Sequence, residues 1–313
     1  MPKQKNIPRL RTDWRGVFVV SATPFGKSGE IDEDGFRALL ECFVAEGVRG
    51  VIVAGSTGEW YGMRDHERMR LFELAQRQIG GRVTLIAGTS AIATRDAVDL
   101  TRAALDLGYD GAMVLPPPYA LPNEREVLAH FEAVAGVGLP IMVYNNPGRT
   151  QINLTGATVD KLCAFDAVVA LKDSSKDLYQ ISQTIRMVGD RLAVFSGLEP
   201  YAIAAIQRGA VGIVSMSANI VGRQAVTFYD HAAAGRWAEA HAIETVMDRL
   251  FEAFYDGGYG PYVVIKECMN LLGRPAGWPR RPHLRIDDAG RRRLAQTLVE
   301  IGVLDAGQAD AAE

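Results

Sequence analysis

Eight short apolar runs recur along the chain, each followed by a longer amphipathic stretch, and this alternation is what most restricts the fold. The runs cover residues 16–20, 50–53, 83–87, 111–115, 140–144, 167–171, 192–195 and 211–214. They are rich in β-branched residues, bounded by Gly, Pro or Asp, and almost continuously apolar rather than alternating. Strands of a parallel sheet covered on both faces read this way. The stretches between them, such as 34–46, 65–79, 94–107 and 124–135, carry helical periodicity. Asp32 and Thr94 are the expected N-caps of two of these helices, and Gly47 and Gly108 their expected ends.

Eight strand–helix units in series predict an α/β fold of the (β/α)8 TIM-barrel type over residues 16–235. A doubly wound open sheet shares the local pattern, but no G-x-G-x-x-G turn follows the first strand. Residues 1–15 read as an N-terminal extension. Residues 236–304 read as a C-terminal helical region, with helices at 238–255, 262–272 and 288–301. The small polar residues 305–313 read as a frayed, disordered tail.

The 313 residues are 48% hydrophobic and carry a formal net charge of -3, so neither a nucleic-acid surface nor a polybasic membrane anchor is expected. No apolar run approaches the roughly 20 residues of a membrane span, and the basic start lacks the apolar core of a signal peptide. Cys42, Cys163 and Cys268 are far apart and in no paired spacing. A reducing cytoplasm is the expected location, with no disulfide framework or structural zinc site.

In such a barrel, reactive groups gather where strands end. Lys172 stands out there. The chain has seven lysines, most of them at termini, in turns or on polar helix faces, whereas Lys172 follows an apolar strand directly. Burial would penalise its ammonium form and lower its pKa, as a Schiff-base amine requires. A structural ion pair with Asp173 or Glu59 explains the same position equally well, and position alone leaves both readings open. Lys266, on a helix beyond the barrel, is the rival lysine, with a structural or interface role expected. Tyr144 ends the fifth strand, where its phenol could relay protons during imine formation or simply pack at the rim. Ser56 and Thr57, between Gly55 and Gly58, could form an anion-binding nest, and Arg149 could hold a carboxylate in bidentate fashion or lie in a surface turn. Metal chemistry has little support: the five histidines are scattered, and His66-Glu67 lacks the second histidine of H-E-x-x-H. Neither a G-x-S-x-G elbow nor a P-loop occurs.

These residues together resemble the dihydrodipicolinate synthase and N-acetylneuraminate lyase family. The likeness runs from Thr23-Pro24-Phe25 to the C-terminal helices. It rests on Gly55-Ser56-Thr57-Gly58-Glu59 after strand two, Tyr144-Asn145-Asn146-Pro147-Gly148-Arg149-Thr150 after strand five, and the lysine ending strand six. The resemblance implies a class I lyase or aldolase that needs no metal or organic cofactor and assembles as a homotetramer, a dimer of dimers. Its partners would be pyruvate, or another 2-oxo acid, and an aldehyde. Lys172 would form the imine and Tyr144 would shuttle protons. Ser56 would belong to the hydroxyl relay, and Tyr119 would complete it across the dimer. Thr57 and the amides near Gly55 and Gly58 would hold the pyruvate carboxylate, Arg149 the carboxylate of the aldehyde, and Gly197 and Val214 would line the pyruvate pocket.

The departures bear on the substrate. Ser56 replaces the usual threonine, Trp60 and Tyr61 stand where small residues are common, and Asn146 adds a polar group on the second-substrate side. Leu198-Glu199 replaces a more polar pair. Pro118 and Ile92 occupy two positions where feedback lysine binds in some synthases, so lysine inhibition is not expected. Arg149 and Tyr119 favour a 4-hydroxy-tetrahydrodipicolinate synthase, joining pyruvate to aspartate semialdehyde. Asn146 and the altered loops favour an aldolase or dehydratase of 2-keto-3-deoxy sugar acids. A non-catalytic 2-oxo acid binding protein is a third reading, against which the intact Lys172, Tyr144 and Ser56 argue.

Overall fold

The computed structural model describes residues 12–307. The expectation of a frayed end therefore falls largely, at 308–313, outside the described residues, as does most of the N-terminal extension.

Eight parallel strands close into a barrel in sequence order, each bonded to its neighbours and the last to the first. They are β1 (Gly16–Val20), β2 (Gly50–Val53), β3 (Thr84–Gly88), β4 (Gly111–Val114), β5 (Ile141–Asn145), β6 (Val168–Asp173), β7 (Ala193–Ser196) and β8 (Gly212–Ser215). The outer layer comprises α1 (Glu33–Glu46), α2 (Asp65–Ile79), α3 (Thr94–Asp106), α4 (Glu124–Ala135), the single turn α5 (Pro147–Thr150), α6 (Gly156–Leu162), α7 (Leu178–Val188), α8 (Ala202–Ile206) and α9 (Ala218–Ala233). Three helices follow: α10 (Trp237–Tyr255), α11 (Pro261–Leu271) and α12 (Asp288–Glu300). The chain is thus a TIM barrel with a C-terminal helical extension, as the periodicity predicts.

Both faces of the strands are buried, which is why the runs read as continuous. Phe18, Val20, Ile52, Ile86, Met113, Met142, Phe195 and Val214 fill the barrel interior. The alternate residues, including Val17, Val19, Val51, Val53, Leu85, Val143 and Leu171, pack against the helices. The cap of α1 is as expected, with the Asp32 carboxylate accepting from the Gly35 amide at 2.9 Å. The cap of α3 is not. Ala93 occupies that position and Thr94 is the first helical residue. The Thr94 hydroxyl is instead engaged by His130 Nδ1 of α4, 3.0 Å away.

One irregularity bears directly on the site. Ile141 pairs with Val168, but Met142 pairs with Ala170, so β6 carries an extra residue at Val169. Had the pairing run on without that bulge, Tyr144 would face Leu171 and every later side chain of β6 would turn to the other face. With it, Tyr144 pairs with Lys172, and both belong to the inward-facing set.

Candidate active site

Lys172 lies one step above Ala170 on the inner face of β6 and is 3% exposed. Among the described residues it makes no ion pair; its ammonium nitrogen sits 4.0 Å from the centre of the Tyr144 ring. Burial drives its pKa down to about 7, opposed in part by the Glu199 carboxylate. The ion-pair reading of Lys172 fails for both proposed partners. Asp173 points the other way and is satisfied by the Asn145 side-chain amide at 3.0 Å and the Ser175 amide at 2.8 Å. Glu59 is paired with Lys266.

The Glu59–Lys266 pair is wholly buried, each side chain 1% exposed. Lys266 Nζ also donates to the Trp278 carbonyl at 2.8 Å, and the second Glu59 oxygen accepts from the Arg280 amide at 2.9 Å. Lys266 therefore ties α11 to the loop after β2. Of these two buried lysines, Lys172 is the one that opens onto the mouth without a carboxylate bound to it.

Tyr144 is 4% exposed, and its phenol oxygen accepts a hydrogen bond from Asn146 Nδ2 at 2.7 Å. Burial raises the phenol pKa, while Asn146, Ser174 and Arg149 hold it down. Asn146 thus touches the proton-bearing atom of Tyr144. Ser174, which no sequence motif marks as a site residue, approaches the same phenol and donates to the Gly197 carbonyl at 3.2 Å. Gly197 must lack a side chain. A Cβ there would stand 3.0 Å from Lys172 Cε and closer still to Ser174 Oγ. Val214 is fully buried at the inner end of β8.

The loop from Gly55 to Glu59 is tightly wound, with Ala54 and Glu59 both at positive φ. A Cβ on Gly55 would meet Val20 at 2.6 Å, and one on Gly58 would meet the Ser21 carbonyl at 2.9 Å. Thr23 Oγ1 fastens the loop by donating to the Gly58 carbonyl at 2.8 Å. Thr57 is 2% exposed and Ser56 is half-buried. Among the described residues the Ser56 and Thr57 amides bond to no acceptor, which leaves them as donors for an anion.

Arg149 sits on α5 with no carboxylate partner among the described residues, its guanidinium 5.2 Å from the centre of the Tyr262 ring. Tyr262 and Tyr255 come from the C-terminal helices, so neither stands at the end of a strand. Tyr262 is 6% exposed, and the neighbouring Ser56 and Arg149 side chains act on its phenol, holding its pKa down against the effect of burial. Tyr61 completes this wall, 6.2 Å from Tyr262 and hydrogen-bonded to His283 at 2.9 Å. No sequence motif marks the two C-terminal tyrosines.

Tyr119 lies apart. It is 89% exposed on the loop after β4, with φ of 69°, and has no part in the cluster within this chain. Two sizeable cavities also lie elsewhere, about 590 Å³ at the opposite barrel end and about 470 Å³ between α10, α11 and α12. Neither holds an inward lysine. No group of three or more His, Cys, Asp or Glu side chains converges as a metal site would need, among the described residues. No helix there is long and apolar enough to cross a membrane.

An unpaired, buried amine of lowered pKa beside a phenol can attack a carbonyl carbon at neutral pH. The nearby free amides and Arg149 can hold carboxylates.

Comparison with known proteins places the chain beside one family. The sequence profile of the dihydrodipicolinate synthetase family matches residues 13–301. An uncharacterized DapA-like lyase of Rhizobium meliloti is 46% identical over 289 residues, spanning 92% of this chain and 96% of that one. A 4-hydroxy-tetrahydrodipicolinate synthase of Methanospirillum hungatei is 35% identical over 289 residues, or 91% of this chain and 98% of its own. Among solved structures, YagE of Escherichia coli, a prophage protein of the dihydrodipicolinic acid synthase family in complex with pyruvate, superposes with a TM-score of 0.89 at 25% identity. That match covers 93% of this chain and 100% of YagE.

Proposed function

The chain belongs to the dihydrodipicolinate synthetase family and is a lyase of that family, and we propose that it works through an imine between Lys172 and pyruvate or a related 2-oxo acid. The observation that carries this reading is Lys172 itself: buried, free of any carboxylate partner among the described residues, and stacked on Tyr144.

The neutral amine of Lys172 attacks C2 of the 2-oxo acid while Thr57, the Ser56 and Thr57 amides and their neighbours Gly55 and Gly58 receive its carboxylate. The C2 oxygen takes up a proton to give a carbinolamine. The nitrogen loses one, and water departs as the C=N bond forms. Tyr144 is the group placed to move these protons, with Ser56 in support. Loss of a C3 proton then gives an enamine, whose C3 attacks the aldehyde carbon; cleavage of a larger 2-oxo acid is the reverse. Gly197 and Val214 leave room for the 2-oxo acid, because any side chain at 197 would strike Lys172.

For the second substrate, Arg149 favours an aldehyde bearing a carboxylate, as in the 4-hydroxy-tetrahydrodipicolinate synthase reaction with aspartate semialdehyde. A 2-keto-3-deoxy sugar acid is the alternative. It draws on the altered mouth, where Tyr61, Tyr255 and Tyr262 stand around the guanidinium. A homotetramer built as a dimer of dimers belongs to the same reading, in which the exposed Tyr119 meets a partner subunit.

A coupled assay with pyruvate and aspartate semialdehyde, run beside a panel of keto-deoxy sugar acids, tests the choice. Turnover of the semialdehyde alone supports the synthase reading; turnover of the sugar acids alone overturns it.

A further inference from the structure

Tyr262 and Lys266 are four residues apart on α11, so they share one face of that helix. They grip the two ends of one loop. Lys266 holds the Glu59 carboxylate, and Tyr262 lies against the Ser56 hydroxyl. A buried phenol needs a hydrogen-bonding partner. The polar side chains that act on the Tyr262 phenol belong to the barrel mouth, Ser56 and Arg149, and its ring underlies the guanidinium at 5.2 Å.

We propose that Tyr262 is a positioning residue of the site, which aims the Ser56 hydroxyl into the mouth and links it to Arg149. The direction follows from the donors available. A guanidinium has only donors, so the Tyr262 oxygen accepts from Arg149. The single phenol proton then goes to Ser56 Oγ, and the proton of Ser56 points away from Tyr262, toward the bound 2-oxo acid. Burial keeps the phenol pKa up at about 12, so this polarity persists across the neutral range. The relay next to Lys172 is thereby oriented from within the same chain.

This inference rests on the imine reading, and one experiment separates the two. Exchange of the pyruvate C3 protons with deuterated water is followed by NMR for the unaltered protein, Tyr262→Phe, Ser56→Ala and the double variant, with borohydride trapping and thermal melts alongside. Tyr262→Phe keeps the ring, so the fold should hold, and exchange should slow about tenfold or more. Over the same change the KM for pyruvate should move less than about threefold. Because Tyr262 acts through Ser56, adding Tyr262→Phe to Ser56→Ala should slow exchange by less than about twofold. Tyr262→His, which keeps a ring and a polar hydrogen, should recover part of the rate. Exchange at the unaltered rate in Tyr262→Phe, or fully multiplicative losses in the double variant, would overturn the inference while leaving the imine intact. A protein that traps no pyruvate at all would overturn both.

Discussion

Lys172 and Tyr144 are register partners on adjacent parallel strands, and the lysine nitrogen lies 4.0 Å from the centre of the tyrosine ring. The bulge at Val169 creates that pairing, and the pairing puts a buried amine beside a buried phenol.

The first prediction concerns pH. Burial lowers the Lys172 pKa to about 7, and only the neutral amine is nucleophilic. Imine formation should therefore speed up as pH rises, with its midpoint near the folded pKa, and level off above it. Rapid-quench trapping with pyruvate from about pH 5 to about pH 9, where a surface lysine would still be fully charged, checks this. A rate that keeps climbing toward about pH 10 would mean an ordinary lysine.

Stability should separate the two buried lysines by sign. Lys172 carries a charge in neutral water that its pocket disfavours, so the unfolded chain binds the proton more readily and folding is penalised as pH falls from 10.5 towards 7. Lys172→Met removes that penalty and should raise the thermal midpoint at neutral pH while abolishing activity. Lys266→Met leaves the Glu59 carboxylate buried and unpaired, which should cost about 3–5 kcal/mol in denaturant unfolding.

Asn146 donates to the Tyr144 oxygen at 2.7 Å and helps hold the phenol pKa down. Asn146→Leu should lower kcat about tenfold, the equivalent of one lost hydrogen bond of about 1.4 kcal/mol. It should also move the alkaline limb of the pH profile upward. An unchanged kcat and pH profile would mean that the bond has no part in turnover.

Arg149 has no carboxylate partner within the described residues. Arg149→Ala should raise the KM for a carboxylate-bearing aldehyde about 10- to 100-fold, the worth of a charge-assisted pair. Trapping of pyruvate on Lys172 should persist. Loss of both together would remove Arg149 from the second-substrate role.

The barrel is legible in the sequence because parallel strands buried on both faces leave unbroken apolar runs, as in β1 and β2. Lys172 is legible because a charge ends such a run, although its inward aim depends on a bulge that no run length reveals. Thr94 is not the cap its sequence context suggests, because His130, in another helix, claims its hydroxyl. Tyr262 and Ser174 are not legible as site residues. The tyrosine reaches the mouth from outside the barrel, and the serine resembles any polar loop residue. Side chains that meet through tertiary packing leave no local pattern.

The most direct test of the imine is chemical. The protein is incubated with pyruvate and borohydride, digested, and mapped by peptide mass spectrometry. A single adduct on the peptide containing Lys172, absent from Lys172→Met, is the predicted result. No adduct, or one carried by Lys266 instead, would contradict the account at its centre.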